Sequence, residues 1–338
     1  MEHRGGLAQH PRRRQHRYRP RPQAGQGNRR PRMTQAASRI LMVRPAAFSF
    51  NAETAVNNHF QQNPGTGSGL QQQALREFDA MVATLSAAGI EVFVVPDTPE
   101  PAKPDAVFPN NWISTTSDGR IHLYPMFAPN RRTERRPGIV SLLQQTFRVD
   151  RVNDWSYFEE QGHFLEGTGS IIFDHPARTA YAARSPRTDV GVLKLVCAAY
   201  GYQSIAFDAR DAAGRAIYHT NVLLSIGEGF AVGCGDAIAD EEERRSVRES
   251  LEASGHEWID IGFEEMNAFA ANLLQVRNRA GEACIVISQA AVDALAPAKL
   301  QALERYGRLL PVSVPTIEKV NGGSVRCMMC ELFLEPRA

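Results

Sequence analysis

Few cysteines, few lysines and no long apolar run mark this chain. Its 338 residues include only five cysteines, three tryptophans and four lysines beside 34 arginines. So little cysteine in so long a chain excludes a disulfide scaffold. The longest apolar stretches, such as Ala283 to Ile287, stay far below the roughly 18 uncharged residues of a membrane helix, and no apolar h-region opens the chain. Cys327 and Cys330 make one C-x-x-C, but no second pair and no His-x-x-x-His completes a zinc site, so no metal is expected. Gly227-Glu228-Gly229 and Gly233-Cys234-Gly235 lack the strand-to-helix context of a nucleotide loop, so no cofactor is implied. Five cysteines without a secretory signal point to a reducing cytoplasm. What is present is a 43% hydrophobic chain of net charge +1, enough for a large core and too apolar for general disorder.

The near-zero charge hides an asymmetry. Residues 1–32 hold ten arginines against Glu2, so this stretch carries +9 and the remainder −8. It has no amphipathic period and no aromatic beyond Tyr18, which argues against a nucleic-acid arm. Residues 1–38 read as a basic disordered extension, and residues 39–338 as one catalytic domain.

Within that domain one order of elements recurs. Two alternating runs separated by turn residues, as in Asn111 to Met126 around Ser117-Asp118-Gly119, read as a hairpin, and a helix and a strand follow. Hairpin loops fall near Gly119, Ala177, Glu228 and Gly281, in steps of 58, 51 and 53 residues. Helices are expected over 70–88, 134–147, 189–200, 240–254 and 291–306. Five such units fit if Ile40–Val43 and a strand over Cys327–Leu334 share the last one, closing a ring without free sheet edges. Asn111, Glu166, His219, Asn272 and Cys327 each stand at the start of one hairpin, 55, 53, 53 and 55 residues apart. In a cyclic array such positions face a common axis, so a carboxylate, an imidazole and a thiol meet although Glu166 and Cys327 are 161 residues apart.

Each residue has a plainer reading. A lone cysteine is usually a small buried hydrophobe, and Cys197, Cys234 and Cys284 are read so. Cys327 differs because Gly322-Gly323 before it permits close backbone approach, and a thiol delivered there can be a nucleophile. A histidine at a strand mouth is usually structural, yet His219 shares the register of Glu166 and Cys327, which favours general acid and base work. His122, His163 and His256 fall off the register and read as structural. Asp105, in a proline-bracketed loop, is turn chemistry unless it faces the same axis. For a substrate carboxylate, Arg132 and Arg184 are the leading basic partners, ahead of Arg131 and Arg135.

Pro104-Asp105 through Trp112, Leu165-Glu166-Gly167, His219-Thr220-Asn221 and Asn321-Gly322-Gly323 through Met328 together resemble the amidinotransferase or guanidino-group modifying superfamily, over about Ile40 to Pro336. Within it the sequence looks closest to citrulline-utilisation hydrolases related to arginine deiminases. The resemblance implies an α/β fold, the pentein: a five-bladed propeller of five ββαβ units around a pseudo-fivefold axis, in a single domain. It implies Cys327 as nucleophile, a cationic His219 that lowers the thiol pKa and protonates the leaving nitrogen, and Glu166 holding substrate N–H groups and orienting His219. Asp105, Asn111, Asn221, Asn272, Arg132 and Arg184 would contact substrate. Many members carry His-x-Asp where this chain has Asn221, which can meet a neutral ureido group. The expected reaction is citrulline to ornithine, ammonia and carbon dioxide. Arginine deimination, amidino transfer to an amine and a non-catalytic RNA-binding module are the alternatives. The expected partner is a small amino acid, without membrane or nucleic acid, and a homodimer is compatible with the pattern.

Overall fold

The computed structural model describes residues 34–65 and 69–337. The extension read over residues 1–38 therefore lies outside the described residues up to residue 33. The described residues open a few positions before the strand pattern does. The Gln35 side-chain amide donates to the carbonyls of Phe173 and Ile226, and Ala37 bridges Val276.

Among the described residues, five three-stranded sheets follow one plan: an antiparallel pair, then a third strand parallel to the second. The first to be completed in sequence is β3 (Ile113–Thr116), β4 (Arg120–Leu123) and β5 (Arg151–Asp154), with α3 (Pro137–Thr146) in the crossover. Next come β6 (Ile172–Asp174), β7 (Thr179–Ala183), α5 (Val190–Tyr200) and β8 (Gln203–Phe207), then β9 (Leu224–Gly227), β10 (Phe230–Gly233), α6 (Glu241–Ala253) and β11 (Glu257–Asp260). The fourth sheet joins β12 (Leu274–Arg277), β13 (Ala283–Ser288) and β14 (Arg308–Val312). In the last, β15 (Cys330–Glu331) from the end of the chain pairs antiparallel with β1 (Arg39–Arg44), and β1 runs parallel to β2 (Glu91–Pro96) across α2 (Leu70–Ala87). First strands neighbour one another: β6 beside β9, β9 beside β12, and β15 beside β3.

Local sequence explains these elements. In α2, Ala74, Phe78, Met81 and Leu85 recur at helical spacing, are buried, and join Ile40 and Met42 of β1 in one apolar cluster. Asp240 caps α6 through the amides of Glu242 and Glu243, with three glutamates in the first turn where the helix dipole favours them. Two expectations need correction. The helix read over 291–306 is two, α8 (Gln289–Ala294) and α9 (Pro297–Glu304), because Pro297 lacks an N–H and restarts the helix at its own first turn. The strand read over Cys327–Leu334 shrinks to Cys330–Glu331. Residues before it wind into a turn, with Cys327 N bonded to Ser324 O at 3.0 Å and Met328 N to Val325 O at 3.2 Å.

Candidate active site

The repeating plan brings five residues to equivalent places. Asn111 ends the turn before β3, and Glu166 precedes the short α4 (Gly167–Ser170) before β6. His219 starts the turn before β9, Asn272 lies two residues before β12, and Cys327 lies in the turn before β15. All five are buried.

Around the sulfur the contacts are short. Asn221 Nδ2 donates to Cys327 Sγ at 3.3 Å and Asn272 Nδ2 does so at 3.4 Å. His219 Nε2 lies 2.8 Å from Glu166 Oε2, while Glu166 Oε1 accepts from Phe127 N at 3.0 Å. Two glycines make this packing feasible. Gly167 holds φ +46°, and a Cβ there would run into the Asn110 carbonyl; a Cβ on Gly169 would sit 2.8 Å from His219 Cε1 and Nδ1.

Burial pushes His219 down to about 4, against the hydrogen bond and charge of Glu166 that raise it. Removed from water, the ring loses more by carrying charge than Glu166 returns, so the site disfavours the cationic histidine expected from the sequence. Burial also disfavours the Glu166 carboxylate, but Arg187, the His219 hydrogen bond and Arg131 together hold it well below the usual carboxylate range.

Two arginines complete the cluster, and they are not the two favoured from sequence. Arg131 donates to Asn111 Oδ1 at 2.8 Å and forks onto Glu134 at 2.9 and 2.9 Å, with Asp105 and Glu166 each 3.8 Å away. Arg187 reaches Glu166 Oε2 at 3.4 Å, Thr54 O at 2.7 Å and Asn57 Oδ1, and its guanidinium lies 4.8 Å from the Tyr218 ring centroid. Arg132 instead donates to Met126 O and stands beside Glu159, and the partly exposed Arg184 pairs with Glu243 and Asp208. Neither enters the cluster, so their assignment as substrate-binding residues is corrected. Their guanidinium groups are held by neighbours at the surface, and neighbouring residues of the same loops turn inward. Asp105 does join: Oδ2 accepts from Asn51 at 2.6 Å and Thr54 at 3.1 Å, and Oδ1 from Asn321.

Sequence reasoning missed Arg187, Thr54, Asn57, Asn58 and Tyr218. Ser185-Pro186-Arg187 was the one available signal, an arginine fixed by a preceding proline at the end of β7. Arg187, Thr54, Asn58 and Tyr218 enclose a cavity that also touches Asp105, Asn111, Arg131, His219 and Cys327. Its free volume of about 10 Å³ is that of a single water, so an amino-acid ligand enters only as lining side chains give way. Burial pushes Cys197 up to about 12 and Cys234 up to about 11, which keeps both as thiols.

Comparison with known proteins bears on the family and the fold. The sequence family described as N,N dimethylarginine dimethylhydrolase, eukaryotic, matches residues 44–334. No curated protein matches by sequence. Among solved structures, ArgZ, an arginine dihydrolase from the ornithine-ammonia cycle in cyanobacteria, superposes with a TM-score of 0.69 at 16% identity, over 89% of this chain and 41% of that one. Unliganded AgrE superposes with a TM-score of 0.67 at 16% identity, over 89% of this chain and 40% of that one. A Pseudomonas aeruginosa enzyme named DDAH, a cysteine-to-serine variant complexed with citrulline, gives a TM-score of 0.61 at 16% identity over 88% of this chain and all of its own. The chain thus spans about two fifths of the length of ArgZ and AgrE. At these identities the likeness is one of fold.

Proposed function

Since the chain belongs to the N,N dimethylarginine dimethylhydrolase family, within the guanidino-group modifying superfamily, we propose that it is a cysteine-dependent hydrolase of C–N bonds whose substrate is citrulline. One observation carries the choice of a neutral ureido group over a guanidinium. The sulfur is flanked by carboxamides, while each of the two nearby carboxylates already accepts three hydrogen bonds from protein donors. Asp105 is held by Asn51, Thr54 and Asn321, and Glu166 by Phe127 N, His219 and Arg187. A guanidinium offers only donors and needs free anionic acceptors; a ureido group offers a carbonyl as well and suits amides that both donate and accept. Asn221 Oδ1 and Asn321 Oδ1 are buried without a partner and serve as acceptors for ureido N–H groups.

In this reading Cys327 Sγ bonds to the ureido carbon, giving a tetrahedral adduct. As Sγ attacks, its proton passes to His219, held by Glu166, which gives it to the departing ammonia as that C–N bond breaks and leaves a thiocarbamate. His219 then takes a proton from the water that cleaves the S–C bond and returns it to the sulfur, and the carbamate of ornithine so released loses carbon dioxide as its C–N bond breaks. The net reaction is citrulline and one water to ornithine, ammonia and carbon dioxide. Arg131 and Arg187, both lining the cavity, are the partners for the substrate carboxylate. The five sheets are read as blades around one axis, which the adjacency of the first strands supports.

The test is mass spectrometry of purified protein incubated separately with citrulline, arginine and dimethylarginine, with Cys327→Ala as control. Ornithine formed from citrulline, and lost in the control, is the expected result. Citrulline accumulating from arginine or dimethylarginine, with citrulline itself untouched, would overturn it.

A further inference from the structure

Arg326 and Cys327 are neighbours on one turn, yet they face different cavities. Cys327 lines the cavity described above, and Arg326 does not. Arg326 lines a second cavity of about 20 Å³, with His175 and Glu331, to which Cys327 contributes nothing. Its side chain is 7% exposed and that of Glu331 11%.

The guanidinium closes the turn that carries the nucleophile. Arg326 O accepts from Met329 N at 3.2 Å, and Arg326 Nη1 donates to Met329 O at 3.0 Å, so one residue bridges the turn twice with Cys327 inside it. Nη2 donates to Glu331 Oε2 at 2.8 Å. Glu331 belongs to β15, where its backbone pairs with Ile40 of β1 and its carbonyl accepts from Thr115 Oγ1 of β3 at 2.9 Å. The turn is thereby fastened to two sheets.

The backbone of the same residue reaches the sulfur by a second route. Arg326 N–H donates to Asn272 Oδ1 at 3.0 Å, and Asn272 Nδ2 faces the Asn221 carbonyl at 3.1 Å and Cys327 Sγ at 3.4 Å. An N–H only donates and a carbonyl only accepts, so these two backbone groups fix which end of the amide meets the sulfur. Arg326 sets both the turn on which Cys327 sits and an amide against which its sulfur rests.

We propose that Arg326, braced by Glu331, is a positioning residue: it holds the turn in the arrangement that aims the Cys327 sulfur at the substrate carbon, and it touches no substrate itself. This deepens the proposed hydrolysis and rests on Cys327 being its nucleophile, whatever the substrate. Replacing both members of a buried ion pair by apolar groups costs little stability, whereas losing one strands the other. That asymmetry separates a positioning role from a structural one.

The experiment compares Arg326→Met with the double variant Arg326→Met, Glu331→Met in melting temperature and in turnover of whichever of citrulline, arginine and dimethylarginine the wild type consumes. Arg326→Met strands Glu331, whose ionisation burial already disfavours, and the melting temperature should fall by about 5 °C or more. The double variant strands nothing and should melt within about 2 °C of wild type. Turnover should not recover with it. In both variants kcat should stay down about tenfold or more with KM within about twofold, because the turn has lost its tie while the substrate's own contacts are intact. A double variant that regains kcat together with its melting temperature overturns the proposal, as does a KM that rises as far as kcat falls. Should the double variant stay unstable, Arg326→Lys decides: it keeps a cation for Glu331 but not the fork that also reaches Met329 O, so kcat should fall several-fold at an unchanged melting temperature, and full activity overturns the proposal. If the wild type consumes none of the three compounds, hydrogen exchange decides: residues 322–329 should exchange faster in the double variant than in wild type, and equal exchange overturns the proposal. Turnover of arginine or dimethylarginine in place of citrulline, with the same pattern in the variants, supports the role of Arg326 and counts against the substrate alone.

Discussion

Arg131 and Arg187 beside the reactive cluster, and Arg132 and Arg184 a few residues away at the surface, are the same side chain in two electrostatic settings. Arg131 and Arg187 are each 2% exposed and together face Asp105, Glu134 and Glu166, all buried. Arg132 and Arg184 keep 32% and 39% of their side chains in solvent while facing Glu159, Glu243 and Asp208. Ion pairs occur in both places, but their consequences differ. Where water cannot reach, removing one ion strands its partner in a poorly polarisable medium; where water can, solvent replaces it. Charge therefore determines structure around Cys327 and merely decorates it outside.

The strongest way to break this contrast is to remove a buried cation while keeping its bulk. Arg187→Met leaves Glu166 without its nearest guanidinium and frees Thr54 O and Asn57. The expected loss is about 3–5 kcal/mol of unfolding free energy, read by urea titration, with turnover falling at least about a hundredfold as Glu166 and His219 lose their setting. If Arg187→Met were no worse than Arg184→Met in either measurement, the buried network would have no special standing.

The contrast also governs what acid does. His219, His122 and His175 are all buried, and burial is the first cause that holds them down, His219 at about 4 and the other two at about 3. Their ordinary value is about 6.5. Between these limits the unfolded chain takes up protons that the folded chain refuses, so folding stability rises with pH across this window and is lost as pH falls from 6.5 towards 4. For His219 alone the loss is about 3 kcal/mol. The melting temperature should fall steadily over that range, and His219→Asn should flatten part of the slope. A melting temperature flat from pH 7 to 4.5 would mean that these rings are hydrated or already charged.

How much of this was legible beforehand follows the same division between backbone and side chain. Asn111, Glu166, His219, Asn272 and Cys327 were found because they are backbone positions in a recurring order of elements, and hairpin turns leave a signature in sequence. Asp105 was found through its proline bracket. Arginine choice was not legible. Arg131 and Arg132 are adjacent, and a one-residue change in a turn sends one guanidinium to Asn111 and the other to Met126 O. A long side chain decides its contacts by reach and packing, neither of which leaves a period. The charge state of His219 was equally hidden, because it depends on the depth at which neighbouring elements close over the ring. The polarity of the Asn272 amide was hidden too, since it depends on two backbone groups, one at Arg326 and one at Asn221.

The surface arginines sharpen the comparison from its weak end. Arg184 donates to Glu243 at 2.7 Å and to the Ala206 carbonyl at 3.0 Å, which is good geometry, and it sits close by in sequence to Arg187. Were geometry alone decisive, Arg184→Ala would cost as much as Arg187→Met. Solvent makes the difference: Asp208 is 58% exposed and Glu243 27%, so both carboxylates rehydrate when the guanidinium is removed. The expected change is within about 1 kcal/mol of unfolding free energy, with turnover altered less than about twofold, and raising the salt concentration should shrink it further. Arg132→Ala should behave alike, losing chiefly its contact over the Phe164 ring. A large loss of activity from Arg184→Ala without a loss of stability would return that residue to the substrate and undo the division between the two settings.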